Sequence, residues 1–161
     1  MVTTGDRLPS AELMRIGKDG AETVALDSLI AGQKAIIFAV PGAFTPTCSQ
    51  AHLPGFIRNM DVLRQKGFST VICVSVNDPF VMDEWARSSN ANDAGITMLA
   101  DPEGTFTRAI GMEFSAPPIG LIGRSQRYTM VVEDGTITAL HLEEVPSSCE
   151  IAAAERLLAS L

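Results

Sequence analysis

The sequence is short of what a polyanion or a bilayer would require. Of its 161 residues only 12 are Lys or Arg, against 19 Asp or Glu, for a net charge of −7. The pI is about 4.7. No basic cluster occurs. Phosphate backbones are bound through clustered Lys and Arg, so a nucleic-acid partner is not expected. The longest apolar run, Ala35 to Val40, is far too short to span a hydrocarbon core, so no membrane role is expected either. Met1 to Pro9 has no charged segment followed by an apolar one. No secretory leader is visible there, and a cytoplasmic location is the expectation.

Cysteine and histidine are scarce as well. Three cysteines cannot form a fully paired disulfide framework. No Cys-x-x-Cys occurs, which argues against an ordinary dithiol oxidoreductase. With two histidines and no spaced second ligand pair, a four-ligand zinc site is not expected. The glycines of Gly120-Leu121-Ile122-Gly123 lack the strand-to-helix setting of a dinucleotide loop, so no nucleotide cofactor is expected. There is no internal repeat, low-complexity tract or dividing linker.

What is present is an ordinary globular composition, 46% hydrophobic and 19% charged. A chain of this length buries roughly two-thirds of its unfolded surface, so residues 1–161 read as a single domain. Ala11 to Ile16 and Glu22 to Ala25 form an N-terminal β-hairpin around the Lys18-Asp19-Gly20 turn. Asp27 caps a short helix ending near Gly32. Lys34 to Val40 and Thr70 to Val76 are continuously apolar, as strands buried on both faces are. A helix is predicted from about Thr47 to Lys66, kinked by the internal Pro54. Another follows the Asp78-Pro79 start and runs to about Ser89.

Ile96 to Ala100 reads as a strand, Thr105 to Ile110 as a short helix, and Ser115 to Gly120 as irregular. Tyr128 to Glu133 and Thr136 to Leu142 pair across the Asp134-Gly135 turn. Ser147 and Glu150 have capping-box spacing, so the last helix is predicted to start there. Alternating strands and helices imply parallel pairing. The fold class is therefore α/β, a central mixed sheet flanked by helices and compatible with a thioredoxin-like arrangement.

The rest of the chain is arranged around Pro41-Gly42-Ala43-Phe44-Thr45-Pro46-Thr47-Cys48-Ser49. Prolines and a glycine set the backbone just after a buried strand. Cys48 then falls at a helix start, among backbone N–H groups that lack intrahelical partners. Such a setting favours the nucleophilic thiolate. In open α/β sheets, sites gather at the C-terminal ends of strands. These features favour chemistry over packing for Cys48. Cys73, amid valines and isoleucine in mid-strand, reads as core. Cys149 reads either as a first-turn thiol favoured as thiolate or as a half-exposed bystander.

His52, four residues after Cys48, could share its helix face as half of a metal pair or of a Cys-His nucleophile dyad. Further ligands, an orienting group and an oxyanion hole are not visible, and a local hydrogen-bonding role is simpler. His141 reads as a surface or sheet residue. Arg124 and Arg127 are either solvated charges at a strand start or a cation beside Cys48.

Several segments together resemble one family. Pro41 to Ser49 (PGAFTPTCS), followed by HLPGF, is similar to the active-site segment of peroxiredoxins, in particular the peroxiredoxin-5 subfamily that includes the plant type II enzymes. VICVSVNDPFVMDEW, MLADPEGTFTRAIGM and RSQRYTMVVEDG resemble that subfamily in the same order. The resemblance implies a thioredoxin fold, usually as a homodimer. It implies that Cys48 is the peroxidatic cysteine and that Thr45 hydrogen-bonds the thiolate and the peroxide. Arg127 would stabilise the developing charge, and Pro41 would shield the sulfur. Phe44 and the 115–120 stretch, with Ile119, would lie at the pocket mouth or a dimer contact.

The implied activity is reduction of hydrogen peroxide and small organic hydroperoxides through a Cys48 sulfenic acid, with no metal, haem or flavin. The implied reductant is an external thiol: thioredoxin, glutaredoxin or glutathione. The second thiol would be Cys149, a cysteine at the position of Cys73, or that external thiol. Linking Cys149 to Cys48 would require the start of the last helix to fray, because a disulfide needs Cα atoms within roughly 7 Å. Outside enzymology, the same reactive thiol would suit a redox sensor or interaction protein.

Overall fold

Side-chain alternation along two apolar strands builds both halves of the interior. In the computed structural model, which describes residues 1–161, the chain begins with a hairpin of β1 (Glu12–Gly17) and β2 (Gly20–Ala25). Helix α1 (Leu26–Ile30) leads to β3 (Lys34–Val40). A π-helical turn (Cys48–His52) runs into α2 (Leu53–Gln65). Next come β4 (Thr70–Ser75), α3 (Pro79–Ser88), α4 (Ala91–Ala94), β5 (Thr97–Ala100) and α5 (Thr105–Ala109). A ribbon of β6 (Glu113–Ala116) and β7 (Leu121–Ser125) encloses a 3-10 turn (Pro117–Ile119). The chain closes with β8 (Tyr128–Glu133), β9 (Thr136–Leu142) and α6 (Ala154–Ser160).

The main sheet has seven strands in the order β2-β1-β5-β4-β3-β8-β9. β3, β4 and β5 are parallel, and β8 runs antiparallel to β3. This is the mixed α/β thioredoxin-like sheet that the alternation of strands and helices predicts. Successive strand residues face opposite sides. Ile36, Phe38 and Val40 join Val71 and Cys73 in a 21-residue cluster with side chains of α2, α3 and α6. Ala35, Ile37 and Ala39 join Ile72 and Val74 in a 17-residue cluster closed by α1, α5 and the inner face of β8. No helix is long and apolar enough to cross a membrane.

Four local expectations are corrected. Asp27 does not cap α1: the Leu26 N–H is taken by the Ala11 carbonyl at 2.9 Å, and the Asp27 carboxylate accepts from Ser10 Oγ at 2.9 Å. The helix through Pro54 carries a π-helical turn in place of a simple kink. Pro54 has no N–H to give, and the Leu53 N–H reaches back five residues to the Cys48 carbonyl. The stretch after Met112 is a two-stranded ribbon around its prolines, with only Pro117 to Ile119 in a 3-10 turn. The last helix starts at Ala154, so Ser147 and Glu150 form no capping box and Cys149 lies in the preceding loop.

Asp78 does cap α3, accepting from the Val81 N–H at 2.8 Å. The site-bearing helix is fixed to the sheet by Phe56, which stacks on Phe38 with ring centroids 4.2 Å apart, beside His52. Phe56→Ala is expected to cost about 3–5 kcal/mol of unfolding free energy. Urea denaturation checks this, and a change below about 1 kcal/mol would show that the stack does not anchor α2.

Candidate active site

The turn after β3 is pinned from three sides. Ala43 donates its N–H to Asn77 Oδ1 at 3.0 Å, and Ser75 Oγ donates to the same oxygen at 2.5 Å. Arg124 Nη1 donates to the Pro41 carbonyl at 3.3 Å. A Cβ at Gly42 would lie 2.9 Å from Arg124 Nη1 and 3.1 Å from Thr45 Cγ2, so a side chain there would displace the Arg124 guanidinium. Phe44 takes a left-handed φ of 62°, a conformation uncommon outside glycine, and leaves its ring 53% exposed near Trp85. Thr45 Oγ1 donates to the Gly42 carbonyl at 2.6 Å, not to the sulfur, so its lone pairs remain as acceptors.

Cys48 opens the π-helical turn and is fully buried. Arg127, 1% exposed, reaches it from the start of the closing hairpin. The register explains how. Ala39 pairs with Tyr128 across the β3–β8 ladder, so the residue before Tyr128 arrives where β3 gives way to Pro41. Arg127 Nη2 donates to Cys48 Sγ at 3.1 Å. Its Nη1 lies 3.0 Å from His52 Nδ1, and its Nε donates to the Pro146 carbonyl at 3.1 Å.

These contacts fix the histidine tautomer. Guanidinium nitrogens only donate, so His52 Nδ1 is the acceptor and Nε2 carries the proton. Nε2 lies 3.0 Å from the Ala152 carbonyl and 3.2 Å from Thr129 Oγ1, which itself donates to that carbonyl at 2.6 Å. Burial first, and Arg127 second, lower the His52 pKa to about 3, against the opposing pull of the Ala152 carbonyl. The ring is neutral at physiological pH. It serves as a support for the guanidinium, the local hydrogen-bonding role that sequence spacing favoured over base or ligand.

Arg127 forms no ion pair with any carboxylate. A buried cation is costly unless a negative charge compensates it. The one group in contact with it that could carry such a charge is the Cys48 sulfur. The other two thiols differ. Burial pushes Cys73 well above the ordinary thiol range. Cys149, half-buried in the loop after β9, is raised to about 11 by burial, with Arg127 opposing. With no helix turn under it, Cys149 lacks the thiolate-favouring setting that the capping-box reading assigned to it.

A cavity of about 420 Å³ opens at the turn, lined by Pro41, Thr45 and Thr47, by Arg127, and by Ile119 and Val145; the buried Cys48 sulfur lies behind Arg127 and is not among the lining residues. Pro41 is buried, and Ile119 is 73% exposed at the rim. The structure thus gathers Pro41, Thr45 and Arg127 around one opening, and Arg127 reaches from there to Cys48. It sends Arg124 to the Pro41 carbonyl and leaves Cys73 in the core. Sequence reasoning did not find the carbonyls of Pro146 and Ala152, because backbone acceptors leave no residue signature.

The Redoxin family profile matches residues 3–158 of the chain. Peroxiredoxin-2C of Oryza sativa subsp. japonica is 42% identical over 161 residues, covering 99% of this chain and 98% of its own. Peroxiredoxin-2E-2, a chloroplastic protein of the same plant, is 48% identical over 147 residues. That match takes in 89% of this chain but 65% of the plant protein, so the chain spans just under two thirds of it. The solved structure of reduced Prx3 from Vibrio vulnificus in complex with hydrogen peroxide superposes with a TM-score of 0.92 at 45% identity. It covers 99% of both chains.

The neutral His52 has a measurable consequence. Its folded pKa of about 3 lies below the unfolded value of 6.5, so between them the unfolded chain binds the extra proton. Stability therefore rises with pH across that window and is lost as pH falls, by up to about 1.4 kcal/mol per unit. Urea denaturation between about pH 5 and 6.5, where carboxylates are largely ionised, isolates this slope. His52→Gln is expected to flatten it, and an equal slope in both proteins would show that His52 is protonated in the fold.

Proposed function

The chain belongs to the Redoxin family, as a peroxiredoxin, and from that premise we propose that it is a thiol peroxidase. It reduces hydrogen peroxide and organic hydroperoxides at Cys48. One observation carries the reading: Arg127 Nη2 lies 3.1 Å from a buried cysteine sulfur and has no carboxylate to neutralise it.

The Cys48 thiolate attacks the terminal oxygen of the hydroperoxide. An S–O bond forms as the O–O bond breaks, and the sulfur loses two electrons to the peroxide. The leaving alkoxide or hydroxide takes up a proton to become an alcohol or water. Arg127 faces the charge as it passes from sulfur to the leaving oxygen, the kind of preorganised donor that stabilises a transition state. The Thr45 hydroxyl, its proton committed to the Gly42 carbonyl, accepts the hydroperoxide O–H and orients the bond. Pro41 walls the sulfur from water. No metal, haem or flavin takes part.

The Cys48 sulfenic acid then condenses with a second thiol, releasing water and forming a disulfide. Two electrons from an external thiol, whether thioredoxin, glutaredoxin or glutathione, restore the enzyme. Cys149 serves as the internal second thiol once its loop is released. Exposed Phe44 and Ile119 beside the cavity form the contact of a homodimer. A redox-sensor reading draws on the raised pKa of Cys149, which slows internal resolution; it predicts oxidation of Cys48 without repeated turnover.

Cys48→Ser is expected to abolish thiol-dependent peroxide consumption, while wild type turns over many times with at least one of the three reductants. Peptide mass mapping after one equivalent of peroxide is expected to find Cys48 linked to Cys149. Sulfenic acid or a glutathione adduct on Cys48 alone would assign resolution to an external thiol. Full peroxide consumption by Cys48→Ser would overturn the reading.

A further inference from the structure

Glu143 follows β9 and is 3% exposed, yet the chemistry above does not use it. Its N–H donates to the Arg127 carbonyl at 3.0 Å, which places it directly across the hairpin from the guanidinium residue. The side chain turns into the loop that carries Cys149. Oε1 accepts the N–H groups of Glu150 at 2.5 Å and Ala152 at 2.7 Å, and Oε2 lies 3.1 Å from Ser148 Oγ, whose single proton is shared with the Val145 carbonyl at 2.9 Å. Burial alone would raise this carboxyl, but those donors outweigh it and hold it below its ordinary range. Across residues 143–153 there is no helix or strand to shape the chain.

That loop supplies the acceptors that hold the site. The Pro146 carbonyl takes the Arg127 Nε–H, and the Ala152 carbonyl takes His52 Nε2 and Thr129 Oγ1. The Ser147 carbonyl takes the Thr47 hydroxyl at 2.7 Å, one residue before Cys48. The loop therefore grips the guanidinium at Nε directly and at Nη1 through the imidazole.

We propose that Glu143 is a positioning residue for Arg127: its carboxylate folds the loop so that the loop's carbonyls aim the guanidinium at the Cys48 sulfur. The inference rests on the reading of Cys48 as the reactive thiol.

The test is a double-mutant cycle on the reduced full-length protein, read by the rate of Cys48 alkylation with iodoacetamide as a function of pH. This readout is independent of peroxide turnover. Glu143→Gln is expected to slow alkylation at neutral pH on the order of ten-fold, as misplaced reacting groups do, and to move the profile to higher pH. Glu143→Asp, which keeps the charge, is expected to recover part of the rate. Added to Arg127→Gln, the Glu143→Gln change is expected to have no further effect, because its action passes through the guanidinium.

Should Glu143→Gln fail to fold, Ser148→Ala removes one donor from the same carboxylate. It carries the same cycle, with a smaller shift in the same direction. An unchanged Cys48 profile in the folded variants would overturn the proposal. So would an equal slowing with and without Arg127, which would mark Glu143 as a general structural residue. Wild type that alkylates in this pattern but fails to consume peroxide would overturn the peroxidase reading and leave the positioning role standing.

Discussion

A guanidinium buried without a carboxylate partner is the constraint on which the rest depends. Arg127 is 1% exposed, and its polar contacts are a sulfur, an imidazole nitrogen and a backbone carbonyl. Two of these are neutral acceptors that satisfy its N–H groups without cancelling its charge. Had a glutamate occupied the place of His52, the charge would be neutralised beside the sulfur and little field would remain for a thiolate. An imidazole carries no negative charge, and burial with Arg127 itself keeps this one unprotonated, so it accepts the N–H without cancelling the cation. The sulfur is the one contact of the guanidinium that could carry a compensating charge.

The fold meets this constraint from both ends of the chain. The β3–β8 register brings Arg127 to the turn holding Cys48, and the stack of Phe56 on Phe38 fixes the helix bearing His52. The loop after β9 closes the site from the outside. The Glu143 carboxylate accepts two of its backbone N–H groups, and the loop also carries the third cysteine. Two large apolar clusters separated by the sheet make up the core, and neither includes a residue of the loop between Glu143 and Ala153.

How far the sequence disclosed all this depended on the range of the interactions. Lys34 to Val40 and the closing hairpin were legible because continuous apolar runs and an Asp-Gly turn are local signals. The β6–β7 ribbon was not, since two prolines between its strands mask the alternation. The start of the last helix was misplaced for an energetic reason. The Glu143 carboxylate takes the N–H groups of Glu150 and Ala152, and those groups are unavailable to a helix beginning at Ser147. At the site, the turn around Cys48 suggested a reactive thiol by itself. The approach of Arg127 could be inferred only by resemblance, because 79 residues separate the two and a strand register joins them.

The most direct measurement of the central claim is the rate at which hydrogen peroxide oxidises Cys48 in Arg127→Gln. It can be followed in a single turnover by the fluorescence of Trp85, whose indole N–H donates to Ser49 Oγ, next to Cys48, at 3.2 Å. If the unpaired guanidinium drives the chemistry, the rate constant falls by about 10²–10³, the loss typical of a removed transition-state donor. A rate within a few-fold of wild type would contradict the account and place the source of Cys48 reactivity elsewhere in the turn.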